Sequence, residues 1–174
     1  RNAQLVDGSG KPAKEGDLGI KDDRIAGMGD LSQESGSKEF NAGGKVLSPG
    51  FIDSHTHDDR AVLHDPLMSS KISQGVTTVI TGNCGVSLAP LKYEQRPPPP
   101  LDLVCEDPKL FFSEFSGYLK TLDQEPPSLN VAAQVGHSTL RLGAMDRLDR
   151  EATPDEIKTM RSRLESSLLD GAIG

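Results

Sequence analysis

Tryptophan is absent from these 174 residues, and only two tyrosines and five phenylalanines supply aromatic surface. Basic side chains are outnumbered by acidic ones, 19 to 26, for a net charge of −7. A chain this acidic and this poor in aromatics has neither the positive stripe nor the stacking platforms of a nucleic-acid binder, so no nucleic-acid partner is expected. Cysteine is scarce. Cys84 and Cys105 are too few for a disulfide scaffold. No apolar run approaches the roughly 18 residues of a membrane-spanning helix, and the first residues lack the charged-then-apolar pattern of a secretory leader. No membrane partner is expected, and a cytoplasmic location is. What is present is a modest apolar fraction, 34 %, with 18 glycines and 12 prolines in no periodic order. That composition describes a loop-rich globular chain or a piece of one, and the alternation of strands with helices along it makes the class α/β.

The first 47 residues divide into short strands and turns. Asn2 to Val6 leans apolar and stops at Asp7-Gly8-Ser9-Gly10. Leu18 and Ile20 alternate with polar neighbours, Asp22-Asp23 offers a turn, and Ile25, Ala26 and Met28 follow. This pattern predicts a β-hairpin. Lys45 to Leu47 is one more short strand. Such strands bury little by themselves and must lean on something else.

The pattern changes at Ser48-Pro49-Gly50. Phe51-Ile52-Asp53 predicts a strand, and the β-branched run Val76 to Thr81 predicts a buried one. Asp107-Pro108 predicts a helix start, with Phe111, Phe115, Tyr118 and Leu122 on its inner stripe. Leu129 to Val135 predicts a third strand. Thr153-Pro154-Asp155-Glu156 is a capping box, and Ile157, Met160, Leu164 and Leu168 predict a buried stripe ending near Gly171. Ala172-Ile173-Gly174 looks like the opening of another strand. Strands alternating with helices imply a parallel sheet, whose chemistry belongs at the C-terminal ends of its strands. His55, His57, Cys84 and His137 all fall there.

His55 and His57 are two apart, a spacing that puts both side chains of a strand on one face. Cys84, ending the next strand, could complete an N/N/S set for zinc with one position open. The plainer alternatives are an ordinary H-x-H and a small buried cysteine. Asp53 shares the parity of the histidines, so it either orients one of them or makes a structural ion pair. Asp58 and Asp59 are expected to be a solvated loop start, the alternative being contact with the site, and His64 a surface residue. Cys105 is expected to be a free thiol. His137 is either functional or merely packed.

The run Pro49-Gly50-Phe51-Ile52-Asp53-Ser54-His55-Thr56-His57 resembles the first-strand signature of the amidohydrolase superfamily. Lys71 to Thr78, running on through Thr81-Gly82-Asn83-Cys84-Gly85 to Pro90, is similar to the N-acyl-D-amino-acid deacylases, as is Val135 to Arg141. The resemblance implies the N-terminal portion of a (β/α)8 TIM-like barrel preceded by part of a small β-sandwich domain. Residues 1–47 would be the β-domain segment and 48–174 the first three βα units. It implies a metal-dependent amidohydrolase acting on carbon–nitrogen bonds other than peptide bonds. The expected reaction is zinc-dependent hydrolysis of small N-acyl-D-amino acids to a carboxylate and a D-amino acid. The alternatives are a relative acting on cyclic amides or D-peptides, and a non-catalytic remnant.

By position, His55 and His57 resemble ligands of a weaker metal site, and Cys84 resembles a bridging ligand that also serves a tight zinc. Asp53 and His137 would lie behind the ligands or face the substrate. The family's two later histidines and its acid/base aspartate would lie beyond Gly174. About 250 residues is typical for such a barrel. The 174 residues are therefore expected to be the metal-binding front of a hydrolase, inactive alone and poorly soluble.

Overall fold

The computed structural model describes residues 1–174, which divide into two compact units, Arg1–Gly50 and Phe51–Gly174. In the first unit β1 (Ala3–Leu5), β2 (Lys14–Lys21), β3 (Arg24–Gly29) and β4 (Val46–Leu47) form one sheet in the order β3-β2-β1-β4. The β2–β3 hairpin closes through Asp22 and Asp23, with Lys21 opposite Arg24. Asp22 takes a left-handed backbone, φ 56°, as a tight two-residue hairpin turn requires. The pairing slips between Gly19 and Ile20, so Gly19 faces Gly27 while Ile20 faces Ile25. That bulge twists the strands. Only Ala3 of this unit is buried, and Ile20, Ile25, Met28 and Phe40 are exposed.

The second unit is an α/β layer structure. Its sheet is β5 (Phe51–Asp53), β6 (Val76–Thr81) and β7 (Asn130–Ala133), in that order and all parallel. Between β5 and β6 lie two single-turn helices, α1 (Ala61–His64) and α2 (Ser69–Ile72). Helix α3 (Phe115–Gln124) joins β6 to β7, and α4 (His137–Ala144) and α5 (Pro154–Asp170) follow. Residues 172–174 are too short to count as a strand, yet Ile173 N donates to Ala133 O and Val135 N to Gly174 O. The core gathers Val79 from the central strand, Phe115, Tyr118 and Leu122 from α3, Val62 from α1, and Met68 and Leu88 from the loops around them.

Two helix readings need correction. Asp107 does cap a turn, accepting from Lys109 N, but that turn is 3-10 and covers only Pro108–Leu110. The chain then extends through Phe111, and the α-helix begins at Phe115. Phe111 packs beside the smaller cluster of Val86, Leu91, Leu101 and Val104. In α5 the one buried residue is Ser167, whereas Ile157 and Leu168 are exposed. Met160 and Leu164 of the expected stripe are half-buried.

The capping box of α5 is formed as the sequence suggests. Thr153 Oγ1 accepts from Glu156 N at 3.3 Å, and Glu156 Oε2 accepts from Thr153 N at 2.8 Å. Arg150 grips the same carboxylate at 2.6 and 2.8 Å and, with the Thr153 N–H, holds its pKa down to about 2. Thr153→Ala is expected to cost about 1 kcal/mol, read from denaturant unfolding. Because Glu156 titrates lower when folded, its contribution is full above the ordinary glutamate pKa and is lost as pH falls towards 2.

Candidate metal centre

Strand β5 stops at Asp53, so the two histidines come from the bend that follows it rather than from the strand itself. They nevertheless converge. His55 and His57 set their rings edge to face, with centroids 6.0 Å apart. Cys84 comes from the turn that ends β6, and its Sγ lies 3.0 Å from His55 Nε2. Ligand atoms of His55, His57 and Cys84 all lie within 4.8 Å of one another, and all three residues are exposed.

The turn that carries Cys84 is unusual. Gly82, Cys84 and Gly85 all have positive φ, and Cys84 at φ 55°, ψ 24° is the only non-glycine among them. A left-handed cysteine costs on the order of 1 kcal/mol, and such residues cluster at functional sites. Gly82 permits this because no side chain fits there. A Cβ on it would meet the carbonyl oxygen of Gln134 at 2.2 Å. A Cβ on Gly136 would meet the Gly85 carbonyl at 2.5 Å. The ends of β6 and β7 thus touch backbone to backbone, just where the thiol is presented.

Hydrogen bonds tie the histidine bend to the cysteine turn. Asn83 Nδ2 donates to Thr56 O at 3.3 Å and to Ile80 O at 2.6 Å. Gly82 N donates to Asp59 Oδ1 at 2.9 Å. Asp59 is only 2 % exposed, and burial pushes its carboxyl up to about 6 against the opposing pull of the Gly82 N–H. This corrects the expectation of a solvated Asp58–Asp59 start. Asp58 pairs with Lys71 Nζ at 2.9 Å. Behind the turn, Ser87 N donates to Thr139 Oγ1 at 2.9 Å and Ser87 Oγ accepts from Gly136 N at 2.9 Å, which docks the start of α4.

Of the two roles open to Asp53, the structure shows the ion pair. Its Oδ2 meets Lys71 Nζ at 2.5 Å, and its Oδ1 accepts from His55 N at 3.3 Å, with no imidazole partner. The Lys71 ammonium holds the Asp53 carboxyl below the usual carboxylate range. His137 opens α4, exposed, outside the three-residue group. His64 is exposed, with Nδ1 against Arg60 O, and Cys105 is a buried free thiol. Lys71, Asp59 and Asn83 were missed by sequence reasoning. The only available signal was their closeness in sequence to the histidine and cysteine motifs.

Tetrahedral zinc, at about 2.0–2.1 Å from nitrogen and 2.3 Å from sulfur, spaces its donors roughly 3.3–3.6 Å apart. With one pair at 3.0 Å and the whole set within 4.8 Å, two imidazoles and a thiol lie near that spacing, and as donor types they suit that ion. Their exposure leaves a side open to water and substrate.

Comparison with known proteins identifies a family and several relatives. The amidohydrolase family model matches residues 38–171. A D-aminoacylase of Alcaligenes xylosoxydans xylosoxydans is 51 % identical over 170 residues, covering 98 % of this chain and 35 % of its own length. A crystal structure of D-aminoacylase is 52 % identical with a TM-score of 0.94, covering 98 % of this chain and 36 % of that one. The N-acyl-D-glutamate deacylase of Bordetella bronchiseptica, solved with zinc and a phosphonate mimic of the tetrahedral intermediate, is 40 % identical with a TM-score of 0.92. It covers 99 % of this chain and 36 % of its own. The chain therefore spans about a third of the length of the relatives it matches.

Proposed function

This chain belongs to the amidohydrolase family, and from that premise we propose that it serves zinc-dependent hydrolysis of the amide bond of N-acyl-D-amino acids. The observation that carries the proposal is the convergence of His55, His57 and Cys84, with His55 Nε2 3.0 Å from Cys84 Sγ. An N-acyl-D-aspartate deacylase and an N-acyl-D-glutamate deacylase among the relatives differ by name in side chain but share an N-acylated D-amino acid. That shared chemistry is what we assign here. In finer architecture, β5, β6 and β7 would be the first strands of a (β/α)8 barrel, and Arg1–Gly50 part of a small β-sandwich.

His55 and His57 would each present one ring nitrogen to the ion, and Cys84 its sulfur as a thiolate. We propose one tight zinc, with a second, weaker site sharing the cysteine. When bound, zinc polarises a carbonyl and makes water a stronger nucleophile. The chain supplies the rest by holding its donors still. None of its nearby carboxylates is free to carry a proton to the leaving amine. Asp53 and Asp58 are held by Lys71, and Asp59 is buried against Gly82. The resemblance to the family would place the acid/base aspartate in the remaining two thirds of the relatives' length. Exposed His137, opening α4, would face the substrate. We place the protein in the cytoplasm, where thiols such as Cys84 stay reduced.

The test is release of D-amino acid by a full-length chain carrying this sequence, loaded with zinc and offered N-acetyl-D-amino acids and their L-enantiomers. Turnover of the D series alone is expected, and none from residues 1–174 by themselves. Equal turnover of both series, or of cyclic amides only, would overturn the assignment.

A further inference from the structure

We infer that Lys71 is a positioning residue for the His55/His57/Cys84 centre, fixing the bend that presents both imidazoles. This rests on the zinc assignment above and extends it to a residue that touches no ligand side chain. The bend from Asp53 to Asp58 leaves a three-residue edge strand, and both histidines on it are exposed. Such a segment is free to move unless something orders it, at about 1–2 kcal/mol of entropy per residue. Lys71 does this from α2. Its Nζ meets Asp53 Oδ2 at 2.5 Å, Asp58 Oδ2 at 2.9 Å and Thr56 Oγ1 at 3.1 Å.

An ammonium has three N–H donors, and here Asp53 and Thr56 accept from it while Asp58 Oδ2 lies beside it as an ion-pair partner. Thr56 separates the two histidines, while Asp53 and Asp58 bracket them. One cation thus pins the bend at both ends and at its centre, and leaves residues 55 and 57 turned towards Cys84. Thr56 is also fixed from the other side, since its carbonyl accepts from Asn83 Nδ2 beside the cysteine. Lys71 itself is carried on α2, which the turn at Gln74 and Gly75 joins to β6. Gly75 O in turn accepts from Phe51 N at the start of β5.

The sign of the effect separates positioning from simple electrostatics. A nearby cation repels Zn²⁺, so removing a Lys71 that acted only through charge would tighten zinc binding. Removing a Lys71 that orders the bend would weaken it. In the full chain, zinc affinity is to be measured by competition with a chromophoric chelator, for wild type, Lys71→Met and Lys71→Arg. Cobalt substitution adds an independent readout, the thiolate-to-metal charge-transfer band. Lys71→Met is expected to bind zinc about 10- to 100-fold more weakly, the range seen when a group supporting a ligand is removed. It should also lose intensity in that band. Lys71→Arg keeps the charge but cannot reproduce the compact three-way contact, so an intermediate loss is expected.

Unchanged or tighter binding by Lys71→Met, or Lys71→Arg indistinguishable from wild type while Lys71→Met weakens, would overturn the inference. If Lys71→Met does not fold, as judged by circular dichroism, Thr56→Val removes one of the three contacts instead, without changing the charge near the ion. A several-fold loss then supports positioning, and an unchanged affinity overturns it. Failure of the wild type to bind zinc in a Cys84-dependent way would overturn the metal assignment itself, which these variants do not otherwise address.

Discussion

Exchanging Cys84 for alanine is expected to lower zinc affinity by roughly 100- to 1,000-fold. Zinc held by four protein donors is worth about 10–16 kcal/mol in peptide systems, or roughly 3–4 kcal/mol per donor, which is two to three orders of magnitude in affinity. Cys84 should sit at the upper end, because its sulfur carries the full negative charge of the set and lies 3.0 Å from His55 Nε2. The control is Cys105→Ala. That thiol is also free but is buried, with Sγ donating to Asp107 O at 3.3 Å. Its removal should cost some stability and leave zinc binding alone. Chelator competition on both variants decides the matter. Equal affinities for Cys84→Ala and wild type would remove the thiol from the site.

The second large effect is structural. Gly82→Ala is expected to destabilise the chain by more than about 4 kcal/mol, against a typical domain stability of about 5–15 kcal/mol. Two costs add. The backbone at φ 81° is left-handed, which disfavours alanine by about 1–2 kcal/mol. The new methyl would also lie 2.2 Å from Gln134 O and 2.7 Å from Gln134 C, both backbone atoms that cannot swing away. Gly8→Ala separates the two. Gly8 has nearly the same φ, 79°, but nothing within 4 Å of the built Cβ. It should show the dihedral cost alone, about 1–2 kcal/mol. Denaturant midpoints for the pair measure the difference. Similar midpoints would show that the strand ends part easily and that the close backbone contact contributes little.

How far the sequence disclosed this arrangement depends on how local the cause was. The β-branched run Val76 to Thr81 and the capping box at Thr153 carry their own signal, and both stand as read. The parallel order β5-β6-β7 follows from the alternation of elements, because parallel neighbours need crossovers. Helix α4 left no trace. It has no side-chain N-cap, and it holds Gly143, over which Arg163 Nη1 passes so closely that a Cβ would meet it at 2.1 Å. Its existence depends on partners remote in sequence. The stripe of α5 misled for a related reason. Leucine at helical spacing says that one face is apolar, not that a neighbour covers it, and Leu168 of that stripe is 46 % exposed.

The donor residues were legible because histidine and cysteine carry chemistry wherever they sit. Their supports were not. Asp59 looks like one charge among Asp58, Asp59 and Arg60, and only the fold turns it inward to Gly82 N. Lys71 looks like an ordinary surface lysine before a strand, and its three acceptors are 13 to 18 residues upstream, at positions 58, 56 and 53.

The left-handed backbone at residue 84 also sets the alphabet allowed there. Glycine, asparagine and aspartate tolerate that conformation more readily than cysteine does. Among them only aspartate is a good anionic metal ligand, and it offers oxygen in place of sulfur. A mutational scan at this position would therefore find two lists that barely overlap. One holds the residues the chain prefers, and the other holds those a soft-donor metal accepts. Cysteine belongs to the second list alone. Its presence marks a position where donor chemistry has outranked conformational ease, and where a change to aspartate would trade the thiophilic metals for those that favour oxygen.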